Sequence, residues 1–395
     1  MRETGAGRGA GLVVVGSGPA GLAAVRSFRE RDPVTSVIMV TADWHPPYAR
    51  PPLTKDFARG DSGLDNLWLT EDGWFDDQRV ELRTGARVTG LDPSRRTVRL
   101  ADDTELAYRD LVLATGSRPV PLPVPGGNHP AIVYLRDLDS GQRLRGLGER
   151  RCRVAVVGSG FIGCEAAASL ASSGVDVVLI SGEEVPHAAR LDEDAGREIH
   201  RWLTDAGVET QLGVTVERID RVSETFELGL DDGRSVSVDA VVAGSGARPD
   251  LTLAESAGIV IENGGIRVDA SMRTSASHVL AAGDIVFAEH PVAGRPLRVE
   301  HWGDADTQGT VAGAVAAGGD DRWSDPPGFW STIGDRTLKY TAWGDGHDTS
   351  DFDGDEASWT VTYRRDGEIV GVLTHEDDAA YERGQELLRR RAGSS

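Results

Sequence analysis

Cysteine is scarce in this chain: among its 395 residues only Cys152 and Cys164 are cysteines. Their spacing fits neither a disulfide framework nor a metal site, and such low usage is typical of a reducing cytoplasm. Long apolar runs are absent from the sequence as well, since no stretch approaches the roughly 20 apolar residues that a membrane-spanning helix needs. The apolar segment GLVVVGSGPAGLAAV is interrupted by glycine and proline and lacks a signal-peptide cleavage site, which indicates folded core.

Positive charge is also in short supply. The chain has 42 lysines and arginines against 63 acidic residues, a formal net charge of −21. Nucleic acids and anionic membranes are polyanions, so this balance argues against either as a general partner. The length allows two or three domains with sizeable cores.

A glycine-rich turn, GSGPAG at residues 16–21, follows a short apolar segment and precedes a helical pattern. Glycines at this spacing permit a tight turn and a close approach of the backbone to a pyrophosphate, which the helix N-terminus then faces. The next apolar segment, SVIMV, predicts a second buried strand that ends near Asp43, an acid placed to bind a ribose hydroxyl. The pattern predicts a dinucleotide-binding unit.

The same pattern returns at RVAVVGSGFIGCEAAASL, where residues 158–163 form the turn and Glu165 is expected in the first turn of the next helix. Each copy ends in an apolar strand followed by G-x-R-P, in LVLATGSRP and in AVVAGSGARPD. This internal repeat predicts two dinucleotide-binding units and two dinucleotides. A later apolar strand, HVLAAGD, and the order of the segments indicate that one unit is inserted into the other.

The predicted fold class is therefore α/β, with two Rossmann-like dinucleotide-binding domains, one inserted in the other, and a C-terminal α+β domain. The C-terminal part contains alternating strands around the Asp-Gly turn of RRDGEI, which is typical of a hairpin. We expect a discontinuous first domain at 1–120 and 245–320, a second domain at 121–244 and a third at 321–395.

At these motifs the chain resembles the pyridine nucleotide–disulfide oxidoreductase-like flavoproteins, and among them the ferredoxin and rubredoxin reductase branch. The resemblance rests on GSGPAG, RPPLTK, LVLATGSRP, GSGFIGCE, GSGARPD, AAGDIV, VEHWGDADTQG and GFWST, which span nearly the whole sequence. It implies that the first unit binds FAD, that the second binds NAD(P)H, and that RPPLTK, VEHW and FWS approach the flavin.

The resemblance also implies a set of site residues. Those expected at FAD are Gly16, Gly18, Pro19, Ala20, Gly21, Asp43, Arg50, Lys55, Ala114, Thr115, Gly116, Arg136, Gly283, Asp284, Glu300, His301, Trp302 and Trp330. Those expected around the second phosphate turn are Gly158, Gly160, Phe161, Ile162, Gly163, Glu165 and Gly246. No metal ligands are expected, because no second histidine or cysteine stands at ligand spacing from His301.

Lys55 and Glu165 are the expected catalytic residues. A cation beside the flavin would tune its chemistry, and the resemblance places Glu165 opposite Lys55 as an ion pair. Arg50 would face the pyrophosphate, where a planar guanidinium matches two oxygens. The alternatives are a solvated basic loop for 48–57, a helix N-terminal acid for Glu165 and an interdomain salt bridge for Arg136. Trp330 either covers the flavin ring or belongs to the core.

Some positions depart from the branch. Ser181 replaces the acid that usually binds the nucleotide ribose, and Glu183 and Glu184 follow it. These acids would repel a 2′-phosphate, so NADH is the expected donor, with NADPH left open. Residues 43–58 contain no cysteine, whereas disulfide reductases place a redox thiol there. Electrons should therefore leave the flavin directly for an external acceptor.

The resemblance implies a cytoplasmic NAD(P)H-dependent flavoprotein whose partner is a ferredoxin-type iron–sulfur protein that supplies a cytochrome P450 or an oxygenase. Two alternatives remain open. One is an NAD(P)H oxidase or diaphorase that reduces oxygen, a quinone or a small substrate. The other is a redox-responsive flavoprotein resembling apoptosis-inducing factor. Neither nucleic acid nor membrane is an expected partner, and a homodimer is left open.

Overall fold

The structure, a computed structural model, describes residues 10–188 and 190–390. Its helices are α1 (Pro19–Arg31), α2 (Asp56–Arg59), α3 (Trp74–Asp77), α4 (Leu138–Gly148), α5 (Phe161–Ser172), α6 (Glu193–Asp205), α7 (Thr252–Ser256), α8 (Trp302–Ala316) and α9 (Asp378–Arg390).

The strands fall into three groups along the chain. The first group is β1 (Ala10–Val15), β2 (Val37–Val40), β3 (Val80–Arg83), β4 (Val88–Asp92), β5 (Thr97–Leu100), β6 (Glu105–Leu113) and β7 (Ser117–Pro119). The second is β8 (Val133–Tyr134), β9 (Arg153–Val157), β10 (Asp176–Ser181), β11 (Glu209–Leu212), β12 (Val216–Val222), β13 (Thr225–Leu230), β14 (Ser235–Val238), β15 (Ala240–Ala243) and β16 (Ala247–Pro249). The third is β17 (Ile261–Glu262), β18 (Gly265–Val268), β19 (Val279–Ala281), β20 (Val286–His290), β21 (Arg295–Leu297), β22 (Gly328–Ile333), β23 (Arg336–Ala342), β24 (Thr349–Gly354), β25 (Trp359–Arg365) and β26 (Glu368–His375).

A parallel sheet in the order β3-β2-β1-β6-β19 forms the first unit. Strand β1 is buried along its whole length, as expected for a strand covered on both faces. The late strand β19 pairs with β6 through Val279–Ala281, so the chain returns to the first sheet after the second unit. The expected insertion of one unit into the other is therefore confirmed.

Helices α1 and α8 pack very closely over this sheet. A Cβ atom on Gly309 would overlap the backbone of Ala20, and one on Gly313 would overlap the backbone of Ala24. These glycines let the two helix backbones touch, which fixes the middle of α8 against the first turn of α1.

The second unit repeats the plan with a parallel sheet in the order β11-β10-β9-β15-β8. An antiparallel meander of β12, β13 and β14 completes it. The two G-x-R-P segments meet as the antiparallel pair β7 and β16, with Arg118 opposite Arg248. The repeated motif thus joins the two units directly.

An antiparallel sheet in the order β22-β23-β26-β25-β24 forms the C-terminal unit, and α9 packs on it. The predicted hairpin is confirmed, because β25 and β26 pair across a turn in which Asp366 and Gly367 have φ values of 52° and 82°. The predicted fold class is confirmed with it.

Strand β2 spans Val37–Val40, within the predicted segment SVIMV, and Asp43 lies three residues beyond its end. No helix in the described ranges is both long and apolar enough to cross a membrane.

Candidate active site

The first phosphate turn is built as its glycines predict. Gly16 has a φ of +114°, and a Cβ there would overlap the backbone of Ala114, the residue that follows β6. Gly21 likewise lies against the carbonyl of Gly16. Helix α1 starts at Pro19, and its Gly18 N-cap supplies no side-chain cap, which leaves the helix N–H groups of Ala20 and its neighbours directed at the turn.

Arg50 lies directly against this turn. Its Nη1 is 3.1 Å from the position that a Cβ of Gly18 would take, and its buried Nε has no hydrogen-bond partner among residues 10–188 and 190–390. An unpaired guanidinium N–H beside open helix N–H groups is a donor set that fits a pyrophosphate. The first unit therefore fits a dinucleotide on its own geometry.

Asp43 lies beyond the end of β2 and is held by local contacts. One carboxylate oxygen accepts from the Tyr48 hydroxyl at 2.8 Å, and the other accepts from the His45 backbone N–H at 3.1 Å. Burial raises the pKa of Tyr48 to about 12, so this hydroxyl remains a donor at neutral pH. The contacts orient the carboxylate next to the turn.

The ends of β6 and β19 bring a second group together. The Arg136 guanidinium donates to Asp284 Oδ2 at 2.8 Å and to the Ser117 carbonyl at 2.8 Å, just after Thr115 and Gly116. Arg136 thus forms a salt bridge with Asp284, which is the alternative to an FAD contact that the sequence left open. Gly283 approaches Ala20 of α1, and its N–H donates to the buried Gln308 side chain at 2.9 Å.

The second phosphate turn has the same construction. Gly158 has a φ of +105°, and a Cβ there would lie 2.6 Å from the Gly244 carbonyl oxygen. Gly163 lies against the carbonyl of Gly158, and Gly160 opens α5, which continues through Phe161 and Ile162. From a Cβ on Gly160 the nearest atom in the described structure would be 4.0 Å away, so space remains in front of the turn. Gly246, with a φ of +88°, precedes β16.

Lys55 and Glu165 meet between the two turns. Lys55 Nζ is 2.7 Å from Glu165 Oε2, with side-chain exposures of 12% and 7%. The same oxygen accepts from the Thr54 hydroxyl at 2.5 Å, and Oε1 accepts from the Ser331 hydroxyl at 2.7 Å. A buried carboxylate is tolerated only when it is paired and hydrogen-bonded, and here both oxygens are satisfied.

The position of Glu165 in its helix differs from the prediction. Because α5 begins at Phe161, Glu165 is in the second turn rather than the first. It is buried and faces the 3₁₀ segment Pro51–Thr54. The reading of Glu165 as a helix N-terminal acid is therefore wrong. Thr54 and Ser331 were missed by the sequence analysis, although both lie within the motifs RPPLTK and GFWST.

Aromatic side chains from three elements gather beside this ion pair. Phe329 contacts Phe161 and His301, each with ring centroids 4.8 Å apart. Trp330 is 47% exposed, so it is not a core residue. Trp302 is the first residue of α8. The buried Asp304 of this helix is hydrogen-bonded to His301, with 3.1 Å between Oδ2 and Nδ1. Glu300 is exposed and contacts Arg298.

The two acids after β10 face different ways. Glu183 Oε2 accepts from the Ser159 hydroxyl at 2.6 Å, and Ser159 in turn contacts Ser181 at 2.8 Å. Glu183 is thus attached to the second phosphate turn, while Glu184 lies beside Gly213.

The two cysteines differ in burial, since Cys164 is buried and Cys152 is partly exposed. Cys164 is fully buried in α5, and its Sγ is 3.2 Å from the Ser159 carbonyl oxygen. Burial raises the pKa of this thiol well above its ordinary value, which disfavours the reactive thiolate. Burial raises the pKa of Cys152 as well. Within the residues that the structure describes, no cluster of three His, Cys, Asp or Glu side chains could hold a metal ion.

Comparison with known proteins bears directly on this site. Residues 10–309 match the family model described as pyridine nucleotide-disulphide oxidoreductase. The chain is 35% identical to the anthranilate 1,2-dioxygenase system ferredoxin–NAD(+) reductase component of Burkholderia cepacia, over 83% of this chain and 80% of that protein. It is 32% identical to rhodocoxin reductase of Rhodococcus erythropolis, over 86% and 79%.

A solved structure agrees over nearly the whole chain. The covalent putidaredoxin reductase–putidaredoxin complex matches with a TM-score of 0.91 and 26% identity, covering 97% of this chain and 93% of that one. The similarity therefore includes the C-terminal unit that supplies Ser331.

Replacing Glu165 with glutamine should leave the Lys55 ammonium buried without its counter-charge. Removing one partner of a buried ion pair costs about 3 kcal/mol or more. We therefore expect a lower thermal unfolding temperature and slower reduction of the bound flavin by NADH. Glu149→Gln is the matched control, because Glu149 is 71% exposed and its ion-pair distance to Arg145 is 3.7 Å. Equal unfolding temperatures and reduction rates in both variants would contradict the assigned role of this pair.

Proposed function

We propose a function from the premise that the chain belongs to the pyridine nucleotide-disulphide oxidoreductase family. It is an FAD-dependent oxidoreductase that carries electrons from NADH to a ferredoxin-type iron–sulfur protein. Such a protein would supply an oxygenase or a cytochrome P450, since one relative's name assigns it to a dioxygenase system. The ion pair between the two phosphate turns, with no cysteine in residues 43–58, is the observation that carries the proposal.

The chain contains one domain for each of the two dinucleotides and a third, C-terminal domain. Residues 1–120 and 245–320 form the FAD domain, 121–244 the NADH domain, and 321–395 the C-terminal domain. Residues 1–9, 189 and 391–395 are outside the described structure. When bound, FAD accepts a hydride from NADH and releases electrons singly.

Each group of side chains has a separate task. Arg50 and the α1 N-terminus bind the FAD pyrophosphate, Asp43 binds a ribose hydroxyl, and Asp284 holds the ribityl chain. Lys55 places a cation at the flavin. Glu165 holds Lys55 in position by ion pairing, and Ser331 of the C-terminal unit holds Glu165. Phe161 and Phe329 exclude water from the surface beside the ion pair.

Electrons leave this site without passing through a thiol. Cys164 is buried behind the second phosphate turn, and Cys152 directly precedes β9, where its Sγ contacts the Leu147 carbonyl oxygen. The low cysteine content supports a cytoplasmic location.

Docking of an acidic ferredoxin needs a local basic patch, because the whole chain carries −21. The sequence offers Arg322, Arg336 and the arginines of ELLRRR, of which Arg391 lies outside the described residues. Arg389 and Arg390 end α9, each near an acid. Arg336 opens β23 at the hairpin that follows Ser331, and Arg59 reaches the Gly334 carbonyl in the same hairpin at 3.5 Å. Arg59 and Arg336 stand near acids as well, Arg59 beside Asp56 and Asp61 and Arg336 beside Asp335. We assign docking to Arg59 and Arg336 because they lie at the hairpin that follows Ser331 of the site.

Electron transfer to a ferredoxin tests the proposal. Stopped-flow mixing of the reduced enzyme with a panel of ferredoxins that includes putidaredoxin should show second-order electron transfer that slows as salt rises. Arg336→Glu should slow it further, mostly by lowering the association rate. Arg234→Glu is the control, because Arg234 lies in the turn between β13 and β14 of the second unit and its side chain is exposed, at 57% against 36% for Arg336.

A rate that stays flat or rises with salt, with no effect of Arg336→Glu, would contradict ferredoxin docking. Fast turnover with oxygen or a quinone and none with any ferredoxin would favour the oxidase or diaphorase alternative. Slow reoxidation with an NADH-dependent change in molecular mass would favour the alternative that resembles apoptosis-inducing factor.

Donor preference gives a second prediction. Glu183 is bonded to the second phosphate turn through Ser159, so it stands where a 2′-phosphate would be repelled. NADH should have the higher kcat/KM, and Glu183→Gln should reduce the preference for NADH over NADPH about tenfold. Glu184→Gln should leave the preference unchanged, because Glu184 lies beside Gly213. A wild-type preference for NADPH, or equal effects of both variants, would refute this assignment.

A further inference from the structure

Trp44 is exposed to an unusual degree for a tryptophan. The chain has nine tryptophans, and four of them, Trp202, Trp323, Trp343 and Trp359, are buried to 3% exposure or less. Trp44 is 76% exposed and lies in the loop directly after Asp43. An indole ring of this size left in water forgoes a large burial energy. We therefore expect a bound ligand to cover the exposed Trp44 ring.

A chain of hydrogen bonds fixes where this loop lies. Ser17, in the first phosphate turn, donates its hydroxyl proton to Thr41 Oγ1 at 3.0 Å. The Asp43 N–H donates to the same Thr41 oxygen at 3.2 Å. Moving outward from the phosphate turn, the order is thus Ser17, Thr41, Asp43 and then Trp44. A dinucleotide bound across the carboxyl ends of these strands presents its phosphates, its ribose and its base in that same order.

The ring of Trp44 packs against the backbone of Gly85. One face lies against Gly85, where a Cβ atom would overlap the six-membered ring. Gly85 has a φ of +62°, and its N–H donates to the Asp43 carbonyl at 2.7 Å. The glycine therefore ties the loop of Asp43 to the loop after β3 and supports the indole from one side only. The opposite face of the ring remains available to a flat ligand.

We propose that Trp44 stacks on the adenine ring of FAD and closes the outer end of the cofactor site. This inference rests on FAD binding in the first unit. A purine and an indole have matching flat π faces, and an aromatic side chain that stacks on a base typically contributes a tenfold or larger gain in affinity. Trp44 is thus a cofactor-binding residue that acts on affinity at a distance from the flavin.

The test is the FAD affinity of the apoprotein, followed by the change in flavin fluorescence on binding. Trp44→Ala should raise the dissociation constant about tenfold, whereas Trp44→Phe, which keeps a flat ring, should stay within about threefold of wild type. Trp44→Leu can still pack on Gly85 but has no flat face, so it should be nearly as weak as Trp44→Ala. Val34→Ala is the control, because Val34 is a 78% exposed apolar residue.

Each result decides the matter. Wild-type affinity in Trp44→Ala would overturn the proposal, and restored affinity in Trp44→Leu would mean that Trp44 only packs the loop. Unchanged FAD affinity together with slower electron transfer to a ferredoxin would assign Trp44 to protein docking instead. Failure of the wild type and of all variants to bind FAD, with normal circular dichroism, would refute FAD binding itself.

Discussion

The buried ion pair of Lys55 and Glu165 is the constraint on which the arrangement of the units depends. Its partners come from all three parts of the chain: Lys55 and Thr54 from the first unit, Glu165 from the second, and Ser331 from the C-terminal sheet. A charge as buried as this one is stable only while every partner remains in place. The hydrogen bonds therefore fix the two phosphate turns at a set separation. The Ser331 hydrogen bond also makes the C-terminal unit part of the site, although no dinucleotide is assigned to that unit.

An ion pair, and no cysteine, is found in the segment where disulfide reductases place a redox thiol. In RPPLTK the prolines Pro51 and Pro52 begin a 3₁₀ turn that delivers Lys55 next to Glu165, and the segment contains no cysteine. Cys164 is only one residue from Glu165, yet it points into the core, where burial keeps its thiol protonated. The second unit thus places the Glu165 carboxylate against the first unit, while the Cys164 sulfur is buried in its core. We therefore expect electrons to leave the flavin directly, without a thiol intermediate.

Local rules predicted the parts of the site that lie within one motif. The glycines of both phosphate turns adopt the positive φ values and close contacts that their spacing implies, and Arg50 contacts the first turn as expected. Contacts between distant segments were harder to predict. Nothing local in GFWST indicates that Ser331 bonds to a carboxylate 166 residues away. Glu183 and Glu184 are adjacent and chemically identical, and only the fold shows that one is bonded to Ser159 while the other lies beside Gly213.

An anaerobic titration of the purified yellow protein with NADH tests most directly whether the flavin works without a thiol. Flavin absorbance reports the reduction of bound FAD, and the electrons taken up per FAD report any second redox group. We expect one FAD per chain and complete bleaching at one NADH per FAD. Uptake of two NADH per FAD would reveal a redox disulfide and contradict it, as would a folded, colourless protein that cannot be reconstituted with FAD.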